Sequence, residues 1–152
     1  MNNVLAIQDV IARFANSFDQ KNWSALEDCL APQVFTDYFD LRDTPPEMLA
    51  AAEYIRLRRE ALTPLITHHL LGGLEIQFTT AEGALCRTSM LIWRVQNTPK
   101  DATLWNAAGE FHTHCHYTFH LVKETETWKI GGVIQKVLWN SGTHEIHSGA
   151  KY

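Results

Sequence analysis

The sequence is short of cysteine, and the shortage excludes two architectures. Its 152 residues include three, Cys29, Cys86 and Cys115. The number is odd and no two form a C-x-x-C pair, which argues against a disulfide framework and against a zinc knuckle. Basic charge is also in deficit: 13 Lys and Arg stand against 17 Asp and Glu, for a net charge of -4 and a pI of about 6.0. That is not the footprint of a nucleic-acid binder. No apolar run approaches the roughly 20 residues that span a bilayer, so no membrane role is expected. The opening MNNVLAIQDVIARF carries Asp9 and Arg13 inside an apolar pattern, which reads as an amphipathic helix and not as a signal peptide. Repeats, low-complexity tracts and linkers are missing as well. What is present is ordinary for a globular chain, 45% hydrophobic and 20% charged. The expectation is a reduced, cytoplasmic protein with one domain and a real core.

Helical spacing dominates the first part of the chain. Leu5, Ile7, Val10, Ile11, Phe14 and Phe18 predict a helix over 3–19. In KNWSALEDCLAP, Ser24 and Glu27 stand in capping-box register and Pro32 reads as a stop. VFTDYF has strand character. In DTPPEMLAAAEYIRLRREAL, Thr44 reads as an N-cap, Pro45 as the first helical residue and Glu47 as the capping partner. After Pro64 the composition changes. HHLLGGLEIQFTT, GALCRTSMLIWRVQ, EFHTHCHYTFHLVK and TWKIGGVIQKVLW are rich in aromatic and β-branched residues. Turn-like stretches near residues 82, 99 and 125 separate them. Four long strands with short turns predict an antiparallel meander, and helices first with a sheet later predict an α+β fold with the helices on one sheet face. The domain runs over 1–142, with a short polar tail at 143–152.

FHTHCHYTFH, residues 111–120, holds four histidines. Imidazole is the commonest metal ligand among side chains, so the stretch raises the question of a metal site. Alternation on a strand puts His112, His114, His116, Thr118 and His120 on one face, and Phe111, Thr113, Cys115, Tyr117, Phe119 and Leu121 on the other. The second face is the apolar one and is expected to face the core. Same-face neighbours lie about 7 Å apart, so His112 and His120 cannot share one ion, and no nearby cysteine or carboxylate completes a set. The stripe reads as an outer surface or a subunit interface. A metal hydrolase built on it ranks last among the functional readings.

Several stretches taken in order, SFDQKNWSALEDCLAP, FTDYF, THHLLGG, HTHC and WKIGGVIQKVLW, resemble scytalone dehydratase. That family belongs to the nuclear transport factor 2-like superfamily, beside SnoaL-like cyclases and ketosteroid isomerase. The resemblance covers about Phe14 to Trp139. It implies a cone-shaped α+β barrel (cystatin-like), in which a curved, mostly antiparallel sheet wraps around N-terminal helices and encloses one apolar pocket. It also implies a dehydratase acting on a small cyclic β-hydroxy ketone, without metal or organic cofactor, through an enol-like intermediate. Other members of the superfamily keep two alternatives open: an isomerase, or a non-catalytic ligand-binding or dioxygenase small-subunit-like protein. The family's assembly implies a homo-oligomer, a trimer in preference to a dimer.

Residue by residue, the resemblance gives the catalytic pair to Asp19 and His69, and a water-holding phenol to Tyr38. The second such tyrosine falls at Phe18, which has no hydroxyl. A pocket histidine falls at Gln96, a pocket serine at Cys115 and a pocket asparagine at Tyr117. Phe14 and Val133 match apolar pocket positions. Tyr117, on the inward face, is the candidate to replace the hydroxyl missing at Phe18. Arg94 shares strand parity with Ile92 and Gln96. A guanidinium there would bind a carboxylate or steady an enolate, although an ion pair at the sheet end is the favoured reading. His68 points the other way from His69 and has no assigned role.

Overall fold

The computed structural model describes residues 2–96 and 109–147. Helix α1 (Asn3–Gln20) buries Ile7, Val10, Ile11, Phe14 and Phe18, the face that the spacing predicts. The Asn2 side chain caps its start by accepting the N–H of Val4. Lys21 ends it in the left-handed conformation, φ 55°. Helix α2 (Trp23–Cys29) is capped by Asn22, whose side-chain oxygen accepts the N–H of Ala25. Ser24, expected as the cap, therefore lies inside the helix. Strand β1 (Leu30–Asp37) follows at once and contains Pro32.

The largest departure lies in the helix expected from Pro45. Two successive prolines disfavour αR at Thr44 and at Pro45, so no helix starts there. After a single turn, α3 (Phe39–Arg42), residues Glu47–Ala50 form strand β2 antiparallel to β1. Helix α4 spans only Ala51–Leu62, and its N-cap, Ala50, makes no side-chain cap bond.

The next expected strand is split. Strand β3 (Leu65–Leu71) and β4 (Glu75–Phe78) both pair antiparallel with β5 (Gly83–Gln96). The break falls at Gly72, whose N–H donates to the Ser89 carbonyl at 2.8 Å. A Cβ on Gly72 would lie 3.2 Å from that same oxygen. Strands β6 (Glu110–Glu124) and β7 (Thr127–Gly142) complete an antiparallel β5-β6-β7 meander. The Thr125–Glu126 turn, with Thr125 at φ 57°, joins the last two. The turn expected near residue 99 lies outside the described residues.

The strand order is β2-β1-β7-β6-β5-β3, and β1 runs parallel to β7. The sheet is curved and unclosed, so the barrel of the expectation is an open one. Register shifts after His114 and His120 mark β-bulges, the usual means of bending a strand. Alternate residues of β5 to β7, among them Ile92, Tyr117, Phe119 and Ile130, meet α1 through Ile7, Ile11 and Phe14 in one core. The histidine stripe lies on the opposite face. There His114 stacks on Trp139 at 4.0 Å and His112 packs edge-on against Trp93 at 5.8 Å.

Past Gly142, the described residues up to His147 are folded onto the domain. Residues His144–Ile146 form a 3-10 turn, and His147 folds back against Phe111, buried. Among the described residues, no helix is long and apolar enough to cross a membrane.

Candidate active site

Asp19 lies in the last turn of α1 and His69 on β3, 50 residues apart, and the packing of helix on strand brings them together. Asp19 Oδ1 lies 2.6 Å from His69 Nδ1, and Oδ2 accepts the His69 backbone N–H at 2.8 Å. The carboxylate thus holds both the ring and the backbone of the same residue. Thr67, two residues earlier on the same strand face, donates its hydroxyl to Oδ1 at 3.0 Å and accepts from Lys21 Nζ at 3.0 Å. Lys21 also places a cation at the carboxyl end of α1, where the helix dipole favours one.

Burial pushes the Asp19 carboxyl up, but the hydrogen bonds and charge of His69, with the Thr67 hydroxyl, hold it below its ordinary value. His69 is lowered too. Burial is the main cause; Asp19 opposes it, while Arg94 and Lys21 add to it. A carboxylate only accepts, so the proton of a neutral His69 belongs on Nδ1 and the lone pair on Nε2. The Phe18 ring lies 5.4 Å from the imidazole, tilted by 30°. In place of a hydroxyl, Phe18 provides a hydrophobic cover.

A cavity of about 340 Å³, counting its open mouth, lies beside this pair. Phe18, Tyr38, His69, Arg94 and Tyr117 line it, as assigned from the sequence. Tyr38 shares a 2.7 Å hydroxyl bond with the fully buried Tyr54 of α4. Tyr117 accepts from Gln135 Nε2 at 3.0 Å, which leaves its own phenolic proton available to the cavity. Burial raises that phenol well above its ordinary value, so it stays protonated. Arg94 is 3% exposed, and its Nη1 donates to Thr113 at 2.8 Å. Among the described residues no carboxylate pairs with it at the sheet end, and it lines the cavity.

The remaining assigned residues lie outside the lining. Phe14 is in the core, edge-on to Phe18 and Phe119 at 4.9 and 5.2 Å. Val133 is fully buried opposite Phe119. The Cys115 thiol donates to the Met90 carbonyl and lies 3.9 Å from Gln135 Nε2, behind the wall. Burial raises it to about 11, so it is no nucleophile near neutrality. Gln96 ends β5 exposed, paired with Leu65.

Gln135, Arg58, Arg42 and His147 line the cavity without having been anticipated. Gln135 shares strand parity with Val133, so that signal was present. Arg58 on α4 carried none, because nothing in the sequence relates that face of the helix to Tyr38. His147 was hidden in a stretch whose composition reads as a tail.

Residues 1–133 match the SnoaL-like domain. The chain is similar to scytalone dehydratase PfmaJ of Pestalotiopsis fici, at 27% identity over 89% of this chain and 72% of that one. Among solved structures, the Kfla4162 protein of Kribbella flavida superposes with a TM-score of 0.83 at 14% identity, over 95% of both chains. A protein of the NTF2-like family from Streptomyces avermitilis superposes with a TM-score of 0.75 at 12% identity, over 90% of this chain and 97% of that one. At such identities the structural likeness speaks for the fold alone, while the family match extends across helices and sheet together. The chain belongs to the SnoaL-like domain family, on the nuclear transport factor 2-like fold.

Proposed function

We propose that the protein is a cofactor-independent dehydratase, a hydro-lyase acting on a small cyclic β-hydroxy ketone. The observation that carries this reading is the 2.6 Å contact of Asp19 with His69 at the edge of a small, open-mouthed cavity. The dehydratase names among its relatives support it. His69 Nε2 removes the proton next to the ketone, and the electron pair of that C–H bond moves into an enolate. The enolate then expels the β-hydroxyl as the new C=C bond forms, and the imidazolium returns its proton so that water leaves. Asp19 fixes the tautomer and steadies the imidazolium between the two steps. In this reading Tyr38 and Tyr117, both on the cavity wall, donate to the ketone oxygen, directly or through a water, with Tyr117 in the role that Phe18 cannot fill.

A screen of cyclic β-hydroxy ketones for loss of water tests the assignment. Asp19→Asn and His69→Ala should each lower turnover by about 10² to 10⁴-fold while leaving the circular dichroism spectrum unchanged. Wild-type turnover in either variant would reject the mechanism.

Self-association belongs to the same reading, as a homo-oligomer with the trimer as the favoured form. The outer sheet face supports it. Ile66, Leu70, Leu138 and Trp139 are each about half exposed, at 45, 51, 54 and 54%. Leu70, Leu138 and Trp139 line one shallow groove there, and exposed apolar groups that cluster favour association.

A further inference from the structure

Three guanidinium groups reach one small cavity from three separate elements: Arg42 from α3, Arg58 from α4 and Arg94 from β5. None of the described residues lining that cavity is a carboxylate. Asp19, the carboxylate behind His69, is engaged by the His69 ring, its backbone and Thr67. Such a concentration of one charge sign stands out in a chain with a net charge of -4. Aromatic rings hold two of these cations in place. Arg58 lies over Tyr38 at 4.9 Å and over Tyr54 at 5.6 Å, and Arg94 over Phe111 at 5.3 Å. The Nε atoms of Arg58 and Arg94 are buried and have no hydrogen-bond partner among the described residues. A buried donor without a partner is costly unless a ligand completes it. The mutual repulsion is visible as well. Arg42 falls to about 9, chiefly through burial and then through the charge of Arg58, and Arg94 falls to about 10, again chiefly through burial.

We propose that Arg58 and Arg94 form an anion clamp and that the substrate carries a carboxylate group, held there while its ketone faces His69. This rests on the dehydratase reading for the reacting half of the substrate, but the clamp is a binding property in its own right. Guanidinium forks match a planar carboxylate with paired N–H bonds. None of the described residues lining the cavity is a glycine, so none of them offers the glycine backbone cradle that phosphate sites commonly use.

Calorimetric titration of the full chain with benzoate, benzamide and phenyl phosphate tests the clamp without any turnover. Benzoate should bind at least tenfold more tightly than benzamide, and more tightly than phenyl phosphate. Arg58→Met and Arg94→Met should each bring the benzoate-to-benzamide ratio toward one. Arg94→Lys, which keeps the charge should the methionine variant fail to fold, should retain part of it. No benzoate binding, equal binding of acid and amide, or an unchanged ratio in Arg58→Met would overturn the proposal. Tighter binding of phenyl phosphate would overturn the carboxylate assignment. Selective benzoate binding upholds the clamp even where no β-hydroxy ketone loses water, a failure that falls on the dehydratase reading alone. Equal kcat/KM for a neutral hydroxy ketone and its carboxylate-bearing analogue would do the reverse.

Discussion

His69 must be neutral to act as a base, and its surroundings keep it neutral. Its affinity for a proton is lowered in the folded protein, first by burial, despite Asp19. The acid limb of kcat/KM should therefore lie below 6.5, the ordinary value of histidine. The same shift has a stability consequence. Between 6.5 and the folded value, the unfolded chain takes up a proton that the folded one refuses. The His69 contribution is complete above 6.5 and is lost as pH falls through the folded value; Asp19, also lowered, follows below 3.8. Thermal unfolding of the wild type and His69→Ala from pH 8 to pH 4 should show a steeper loss in the wild type. A second expectation concerns Tyr117. If its phenol donates to the ketone, Tyr117→Phe lowers kcat by about 10-fold or more, in the manner of a lost oxyanion donor, with little change in fold. Undiminished turnover would remove that role. At this scale the sequence pointed to residues that the fold brings close together, Asp19 against His69 and Tyr38 on the same cavity. It was unreadable where the role arises from a neighbour on another element. Gln135 matters because Tyr117 lies across the strand from it, and Arg58 because Tyr38 lies beneath it.

Periodicity made the long elements legible, and local chemistry decided their ends. The face of α1 and the alternation of β5, β6 and β7 followed directly from the spacing of apolar residues. The start of α4 did not, because pairing with β1 captured Glu47–Ala50 as a strand once the two prolines had excluded an earlier helix. Gly72 is another such case, since a one-dimensional pattern does not reveal the close approach to Ser89. The end of β7 gives an expectation of its own. Gly142 has φ 94°, and a Cβ there would run into the Glu110 carbonyl. Gly142→Ala should destabilise the protein by more than about 1 kcal/mol, measurable by denaturant unfolding. It should also weaken ligand binding, because the turn that carries His147 to the cavity starts from that residue.

The whole molecule has two faces with different tasks. The concave face holds the core and cavity, and the convex one carries histidine and tryptophan stacks with an apolar border. Should the convex face join subunits, Leu70→Glu and Trp139→Glu together should convert the oligomer to monomers in light scattering while leaving the secondary structure intact. A wild-type monomer at micromolar concentration would remove the interface. The parallel pairing of β1 with β7 also sets the order of events at birth. Strand β1 pairs with the nearby β2 on one edge, but its other edge must wait for residues from Ile130 onward before its bonds can close. Every earlier nascent chain carries an unfinished sheet edge and an open cavity. Chaperone demand and slow, long-range folding follow from that one ladder.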